Sequence, residues 1–575
     1  MSRYLAAHKT PIALTAVYAL ITVVINLFMP YILRLAIDGL TAGTLTPPVL
    51  WRYVLLFAGL TVFAAWFSRQ LRRMPLKLAH RIEYDVRRDL FEHLTKLDQE
   101  FFRKERTGNL MTRMSSDMTI VCDAVGQGLL QGIRTGLALL FASIVMVWIN
   151  PMLAGLMFAL YLPIVIVFFL VLTVMRKRQK TLQEQVSEIS NFAQESFSGI
   201  RCIKGFAIEP RRTGLFETMN RELIRKNIQL QTAMQLLWPL MAFWFSIGML
   251  LLLNVGGKQV IRGTVSMGVL VQFLQYLLYM QWPLLALSWT AGLLQRGKVS
   301  WRRIKELFDR EPLIRDSAET DFPIQSLDGE IEWRNVSLDI DGKRFLQNID
   351  LKIPAGKTVG ITGPTGSGKT LLTSLPARLM DVSEGVLLVG GHPVKKIPLH
   401  LLRRNIGCAA QEPVLFSQTL EHNIAFGMET PDDPVVDWAA GIAHLHGDIE
   451  GFPDHYKTLL GERGITLSGG QRQRTSISRA VARRPQILIL DDVLSSVDTQ
   501  TEADIMAKLQ PVMKNSTCLF VSHRISTLRY TDEIIVIEGG RITARGTHDE
   551  LIARPGYYAE LNAMQQLQEK LEAGQ

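Results

Sequence analysis

The chain has 575 residues, 48% of them hydrophobic and 20% charged, with 63 Lys and Arg against 53 Asp and Glu for a net charge of +10. That length argues against a single domain, and the mixture argues against a wholly soluble chain; a membrane part joined to a soluble part is expected. The positive balance goes with anionic lipid rather than nucleic acid, because basic residues cluster beside apolar runs, as in Met175-Arg176-Lys177-Arg178-Gln179-Lys180. Cys122, Cys202, Cys408 and Cys518 are scattered without metal-ligand spacing and read as reduced thiols. No cleavable leader is visible, so the first apolar run reads as an anchor.

In chain order, Pro11 to about Ile37 is the first span, and the charge-free loop Gly39 to Pro48 lies outside. The second span begins near Val49 and turns polar by Met74, yet its helical pattern continues with no strong breaker until about Gly108. A helix of that length far exceeds the roughly 30 Å hydrocarbon core and must project into the cytosol. Spans three and four, about Gly126 to Ile149 and Met152 to Val174, are separated only by Asn150-Pro151. A second charged helical stretch runs from Arg176 to about Asn227. Spans five and six are about Leu236 to Val255 and Val265 to Leu294, which places both termini inside. Two cytosolic segments, Glu100 to Leu110 and Glu195 to Phe206, combine aromatics with a glycine break and suit docking into a groove on another domain. Gln272, Gln275 and Tyr279 fall near one face of the sixth span, and Trp238, Phe243, Trp244 and Phe245 crowd the fifth. They are expected either to line a pocket or to hydrogen-bond between helices. Trp282-Pro283 is a candidate kink. The expected division is a six-span membrane domain over 1–308, a linker over 309–328 and an α/β nucleotide domain over 329–575.

The second half carries chemistry. Gly363-Pro364-Thr365-Gly366-Ser367-Gly368-Lys369-Thr370 fits a phosphate-binding loop between a buried strand and a helix. Its backbone N–H groups would curl around a polyphosphate, Lys369 would reach the β/γ-phosphates, and Thr370 would ligate Mg2+. Gln411 follows a strand and offers an amide to Mg2+ or an attacking water. Leu467-Ser468-Gly469-Gly470-Gln471 opens a helix and makes a second anion site, plausibly for the γ-phosphate of another subunit's ATP. Ile487 to Asp491 is an apolar strand that ends in a carboxylate for Mg2+. His523, after the strand Cys518 to Val521, is a γ-phosphate contact or a structural histidine.

These motifs, in this order, resemble a half-transporter of the ATP-binding cassette (ABC) exporter superfamily, and in detail the multidrug-resistance-like bacterial half-transporters that pair with a different half. The resemblance covers nearly the whole chain. It implies a type IV exporter fold: a six-span α-helical membrane bundle fused to an α/β P-loop ABC ATPase domain in the bacterial cytoplasmic membrane. It also implies ATP and Mg2+ as cofactors, an amphipathic, drug-like or lipid-like substrate, and a second half-transporter as partner. In that dimer Ser468, Gly469, Gly470 and Gln471 would complete the partner's ATP site. Two departures stand out. The family's usual catalytic glutamate is here Asp492, one methylene shorter, and the adenine-stacking aromatic is absent near Ile340. The expectation is a slow, degenerate own site, with Asp492, His523 and Gln411 in the catalytic roles and a partner that carries glutamate. A homodimer with slow sites, an importer of the same fold and a regulatory ATPase subunit remain the alternatives.

Overall fold

The computed structural model describes residues 1–461 and 464–573. The chain divides into two compact units, residues 1–95 with 107–310, and residues 96–106 with 311–575. Among the described residues, six helical runs are long and apolar enough to cross a membrane.

In the first unit the helix Lys9–Thr41 is followed by Pro47–Thr95. This second helix stops at Thr95, short of the Gly108 expected from the sequence. Asp98 accepts from the Phe101 backbone N–H and caps a new short helix, Gln99–Lys104, and that N-cap chemistry ends the long helix where no Gly or Pro does. The next run reaches Ile149 through two π-helical turns, Arg113–Asp117 and Ala124–Gly128. Asn150 then caps Pro151–Ser198 through the Leu153 N–H, which makes the expected tight connection. Leu237–Ile261 and Met267–Phe308 complete the bundle, the latter unbroken through Pro283.

The core of this unit is apolar on Phe273, Tyr276, Met157, Leu153 and Met146, all fully buried. Some of its internal polar groups are paired between helices. The buried Tyr276 hydroxyl donates to the Leu27 carbonyl at 2.9 Å and accepts from the Gln272 amide at 2.9 Å. Trp244 Nε1 donates to the Leu160 carbonyl at 2.8 Å. Of the sequence's two expectations for these side chains, hydrogen bonding between helices holds for Trp244, whereas Gln272 bonds Tyr276 on its own helix. At the end of the first span the Asp38 carboxylate accepts from Ser266 Oγ at 2.9 Å and from the Gly268 N–H at 2.8 Å. A Cβ on Gly268 would sit 2.5 Å from both the Arg34 carbonyl and Asp38 Oδ1, so only glycine permits this approach.

The second unit is built on two sheets. β1 (Ile331–Ile340), β2 (Lys343–Ile353), β4 (Glu384–Val389) and β5 (His392–Pro393) form an antiparallel sheet in the order β2-β1-β4-β5. The six-stranded sheet runs β10-β9-β3-β8-β7-β6, from β3 (Thr358–Thr362), β6 (Ile406–Ala409), β7 (Ile487–Asp491), β8 (Thr517–Val521), β9 (Glu533–Glu538) and β10 (Arg541–Gly546). Every pair in it is parallel except β9 with β10. β3, β7 and β8 are buried at every position, as befits strands covered on both faces. Lys96–Arg106 belongs to this unit. Arg103 and Lys104 pair with Asp341 at 3.0 and 3.1 Å, and Asp98 Oδ2 accepts from the Leu313 N–H.

Asp38 generates a stability prediction. Hydrogen bonds to a charged acceptor contribute about 1.5–3 kcal/mol each way they are lost. Asp38→Ala should lower the melting temperature of the detergent-solubilised protein by several degrees, and Asp38→Asn, which keeps one acceptor oxygen, should lower it less.

Candidate functional site

The parallel register gathers the candidate residues. Asp491 is aligned with Val521, and Val521 with Ile361, so the C-terminal ends of β7, β8 and β3 lie in one row, and β6 ends beside β7. The phosphate loop leaves β3, His523 follows β8, Asp491 and Asp492 close β7, and Gln411 follows β6. Crevices at the carboxyl ends of parallel strands are where open α/β sheets bind ligands.

Within the loop, Gly363 is required by close packing against backbone and Gly368 by its left-handed conformation. A Cβ on Gly363 (φ +148°) would lie 2.0 Å from the Ile537 carbonyl oxygen, and one on Gly368 (φ +100°) 2.8 Å from Leu346 Cδ2. The Lys369 ammonium is buried and turned back on its own loop. It donates to the carbonyls of Gly363 and Pro364, both at 2.8 Å, and lies 3.5 Å from Ser367 Oγ. Burial holds its pKa below the usual lysine value, opposed by Asp491 and Asp492. Pro364, Thr365, Gly366 and Thr370 are exposed around this cradle.

Asp491 is 5% exposed, and the Thr370 hydroxyl hydrogen-bonds its carboxylate. Burial raises the Asp491 pKa despite that bond, and burial likewise raises that of Asp492, whose neighbours His523, Arg524 and Lys369 pull the other way. Gln411 Nε2 donates to Asp492 Oδ2 at 3.4 Å. Asp492 has φ +49°, and its N–H donates to the Val521 carbonyl at 3.0 Å; aspartate is among the side chains that tolerate this left-handed conformation. Burial, and then Lys369, holds the His523 imidazole below its ordinary pKa, which favours its neutral form. Its loop is pinned by Arg524, which pairs with the buried Glu502 and donates to the carbonyls of Val497 and Ser495, while Gln565 donates to the His523 carbonyl. A buried carboxylate beside a hydroxyl supplies the hard oxygen donors that suit Mg2+, and the lysine-lined loop of N–H groups suits a polyphosphate.

Ser468 and Gln471 form a reciprocal capping box: Ser468 Oγ accepts from the Gln471 N–H at 3.2 Å, and Gln471 Oε1 accepts from the Ser468 N–H at 2.9 Å. Gln471 Nε2 also donates to Asp448. The side chains thus hold the helix start Gly469–Ala482, and the glycine N–H groups are left at its positive end. No hydrogen bond or ion pair joins these four residues to the phosphate loop of the same chain among the described residues. Ile340, where no aromatic stands, lines a cleft of about 170 Å³ with Asp98, Arg103 and Leu379.

The membrane unit holds a second feature. A cavity of about 690 Å³ is lined by Arg134, Thr135, Trp238, Tyr279, Trp282 and Trp289 among others. Tyr279 and Trp238 line it as one reading of the sequence expected; Gln272, Gln275, Phe243, Trp244 and Phe245 do not. Arg134 has no carboxylate partner among the described residues, and the buried Thr135 hydroxyl has no hydrogen-bond partner. The sequence signal for Arg134 is a lone cation inside an apolar span.

The raised carboxylates generate a pH prediction. A carboxyl whose native pKa lies above its unfolded value binds its proton more tightly when folded, so its ionisation costs stability as pH rises. Asp492→Asn should therefore raise the apo melting temperature at pH 7.5. The gain should shrink as pH falls through the raised native value and vanish below the ordinary carboxylate range.

The description "ABC transporter transmembrane region" matches residues 12–284, and "ABC transporter" matches residues 346–495. The chain is 32% identical to the multidrug resistance-like ATP-binding protein MdlA of Escherichia coli (strain K12), over 99% of this chain and 95% of that protein. It is 34% identical to an ATP-dependent lipid A-core flippase of Syntrophus aciditrophicus, over 86% and 82% of the two chains. Its fold matches a bacterial Atm1-family ABC exporter with ATP bound, with a TM-score of 0.82 at 24% identity, over 97% of this chain and 99% of that one. With its six apolar helical runs and C-terminal α/β ATPase domain, the chain belongs to the ABC transporter family as a multi-pass exporter half that carries its own ATPase.

Proposed function

We propose that this chain is the degenerate-site half of a heterodimeric exporter that uses ATP to move amphipathic small molecules out across the cytoplasmic membrane. Asp492 carries the proposal. The position next to Asp491 holds a side chain one methylene short of glutamate, and the Gln411 amide lies against one of its oxygens. A general base must come within about 2.6–3.2 Å of the proton it takes, or act through a further water.

In this reading Lys369 leaves the carbonyls of Gly363 and Pro364 for the β/γ-phosphates, and the loop N–H groups from Gly363 to Thr370 hold the rest of the polyphosphate. Thr370, Asp491 and Gln411 would hold Mg2+, which supplies charge neutralisation between the phosphates. His523, neutral and pinned through Arg524, contacts the γ-phosphate. The glycine N–H groups behind Ser468 serve the partner's nucleotide. The tip Glu195–Phe206 supports a partner as well: Gly199 breaks the helix there, and Phe197 and Phe206 are 75% and 78% exposed. The relatives' names support an amphipathic cargo, one being multidrug resistance-like and another a lipid A-core flippase. The aromatic cavity with Arg134 adds an affinity for substrates that carry an acidic group, since an unpaired cation within a span is stabilised by an anion.

Two measurements test this. Purified wild-type chain alone should hydrolyse ATP slowly, and Asp492→Glu should raise turnover about tenfold or more; robust turnover by the wild-type homodimer would sink the heterodimer reading. In vesicles containing the reconstituted pair, Arg134→Ala should reduce transport of an acidic amphipathic dye at least about fivefold while leaving a neutral one within about twofold. Equal loss for both would remove Arg134 from substrate selection.

A further inference from the structure

By sequence Cys122 has no metal-ligand neighbour, but folding gives it two. His80 and Glu83 stand one turn apart on Pro47–Thr95, in its polar continuation beyond the apolar span, and Cys122 lies on Met118–Asp123. Just beyond the Cys122 helix, Gly126 of the turn Ala124–Gly128 allows a close approach to Pro47–Thr95: a Cβ on it would lie 3.1 Å from Ala79 Cβ. His80 Nδ1 is 3.0 Å from Glu83 Oε2 and 3.8 Å from Cys122 Sγ, and one donor atom from each of the three residues falls within 4.8 Å of the others.

We propose that His80, Glu83 and Cys122 form a three-ligand site for a borderline-soft divalent ion of the zinc type, with a water in the fourth position. A tetrahedral ion bound at about 2.0–2.1 Å by nitrogen and oxygen and about 2.3 Å by sulfur has ligand–ligand edges of roughly 3.3–3.6 Å. The two separations from His80 bracket that range, so a shift of a few tenths of an ångström brings each of them to it. Imidazole, carboxylate and thiolate together select such an ion over Mg2+ or Ca2+, which take oxygen donors. A second layer of support is present: Arg87 Nη2 holds Glu83 Oε1 at 2.7 Å and leaves Oε2 toward the site, as partners that orient metal ligands do. The His80 side chain is 63% exposed and gives the ion a way in. On binding, the Cys122 thiol loses its proton to solvent as the sulfur–metal bond forms. His80 binds as the neutral imidazole with its proton on Nε2, and no electron is transferred.

The ion would staple two helices. The Cys122 helix sits between the π-helical turns Arg113–Asp117 and Ala124–Gly128, local irregularities that are frequent at functional sites. Bridging it to Pro47–Thr95 fixes their register, so occupancy slows the transport cycle.

The test is titration of the full-length protein in detergent with Co2+ alone. A thiolate-to-cobalt charge-transfer absorption should appear with one equivalent and should be bleached by Zn2+. Cys122→Ser should abolish it, and Cys202→Ser and Cys408→Ser should keep it. His80→Gln and Glu83→Gln, both at or near the surface, should each weaken Co2+ binding at least tenfold and keep the monodisperse elution of the wild type. Absence of the band, its persistence in Cys122→Ser, or unchanged affinity in both Gln variants would overturn the site.

Discussion

The parallel register of β6, β7, β8 and β3 is the constraint on which the nucleotide site depends. Four segments separated by as much as 160 residues in sequence deliver Gln411, Asp491, Asp492, His523 and the phosphate loop to one edge because their strands end level. A one-residue slip in a strand would turn its side chains to the other face. β3, β7 and β8 are buried throughout, so their register is set by packing rather than by the polar residues at their ends. The site itself is electrostatically unfavourable without ligand: burial lowers the Lys369 pKa and raises those of both aspartates. Polyphosphate and Mg2+ would relieve each of these burdens with a charge of opposite sign.

The phosphate loop, the strand ending at Asp491 and the signature at Ser468 were legible in the sequence because each is a local pattern with a local physical cause. Gly363 reports a backbone contact that tolerates no Cβ, Gly368 a left-handed backbone, and Ser468 with Gln471 a capping box. Less legible were features made by distant partners. The end of the second long helix at Thr95 depends on the Asp98 cap, whereas the next glycine after it is Gly108. Gln411 against Asp492, and Cys122 against His80, are tertiary encounters with no spacing to read.

The membrane unit divides its polar side chains between two tasks. Tyr276 and Trp244 bond between helices in the core, with Gln272 donating to Tyr276 along its own helix, where an unsatisfied group would be costly. Arg134, Thr135 and Tyr279 instead face a cavity. Periodicity placed Gln272 and Tyr279 on neighbouring positions of one helix face, but only the packing of the other spans decides which of them meets a neighbour and which meets open space.

The helix Pro47–Thr95 has 49 residues, which makes it about 74 Å long. A rod of that length is a mechanical amplifier: a tilt of about 5° about one end moves the other by roughly 6 Å. Small rearrangements at the membrane level are thereby turned into displacements the size of a side chain at Thr95. The reverse also holds, so a modest shift at the cytosolic end needs only a slight change of angle among the spans.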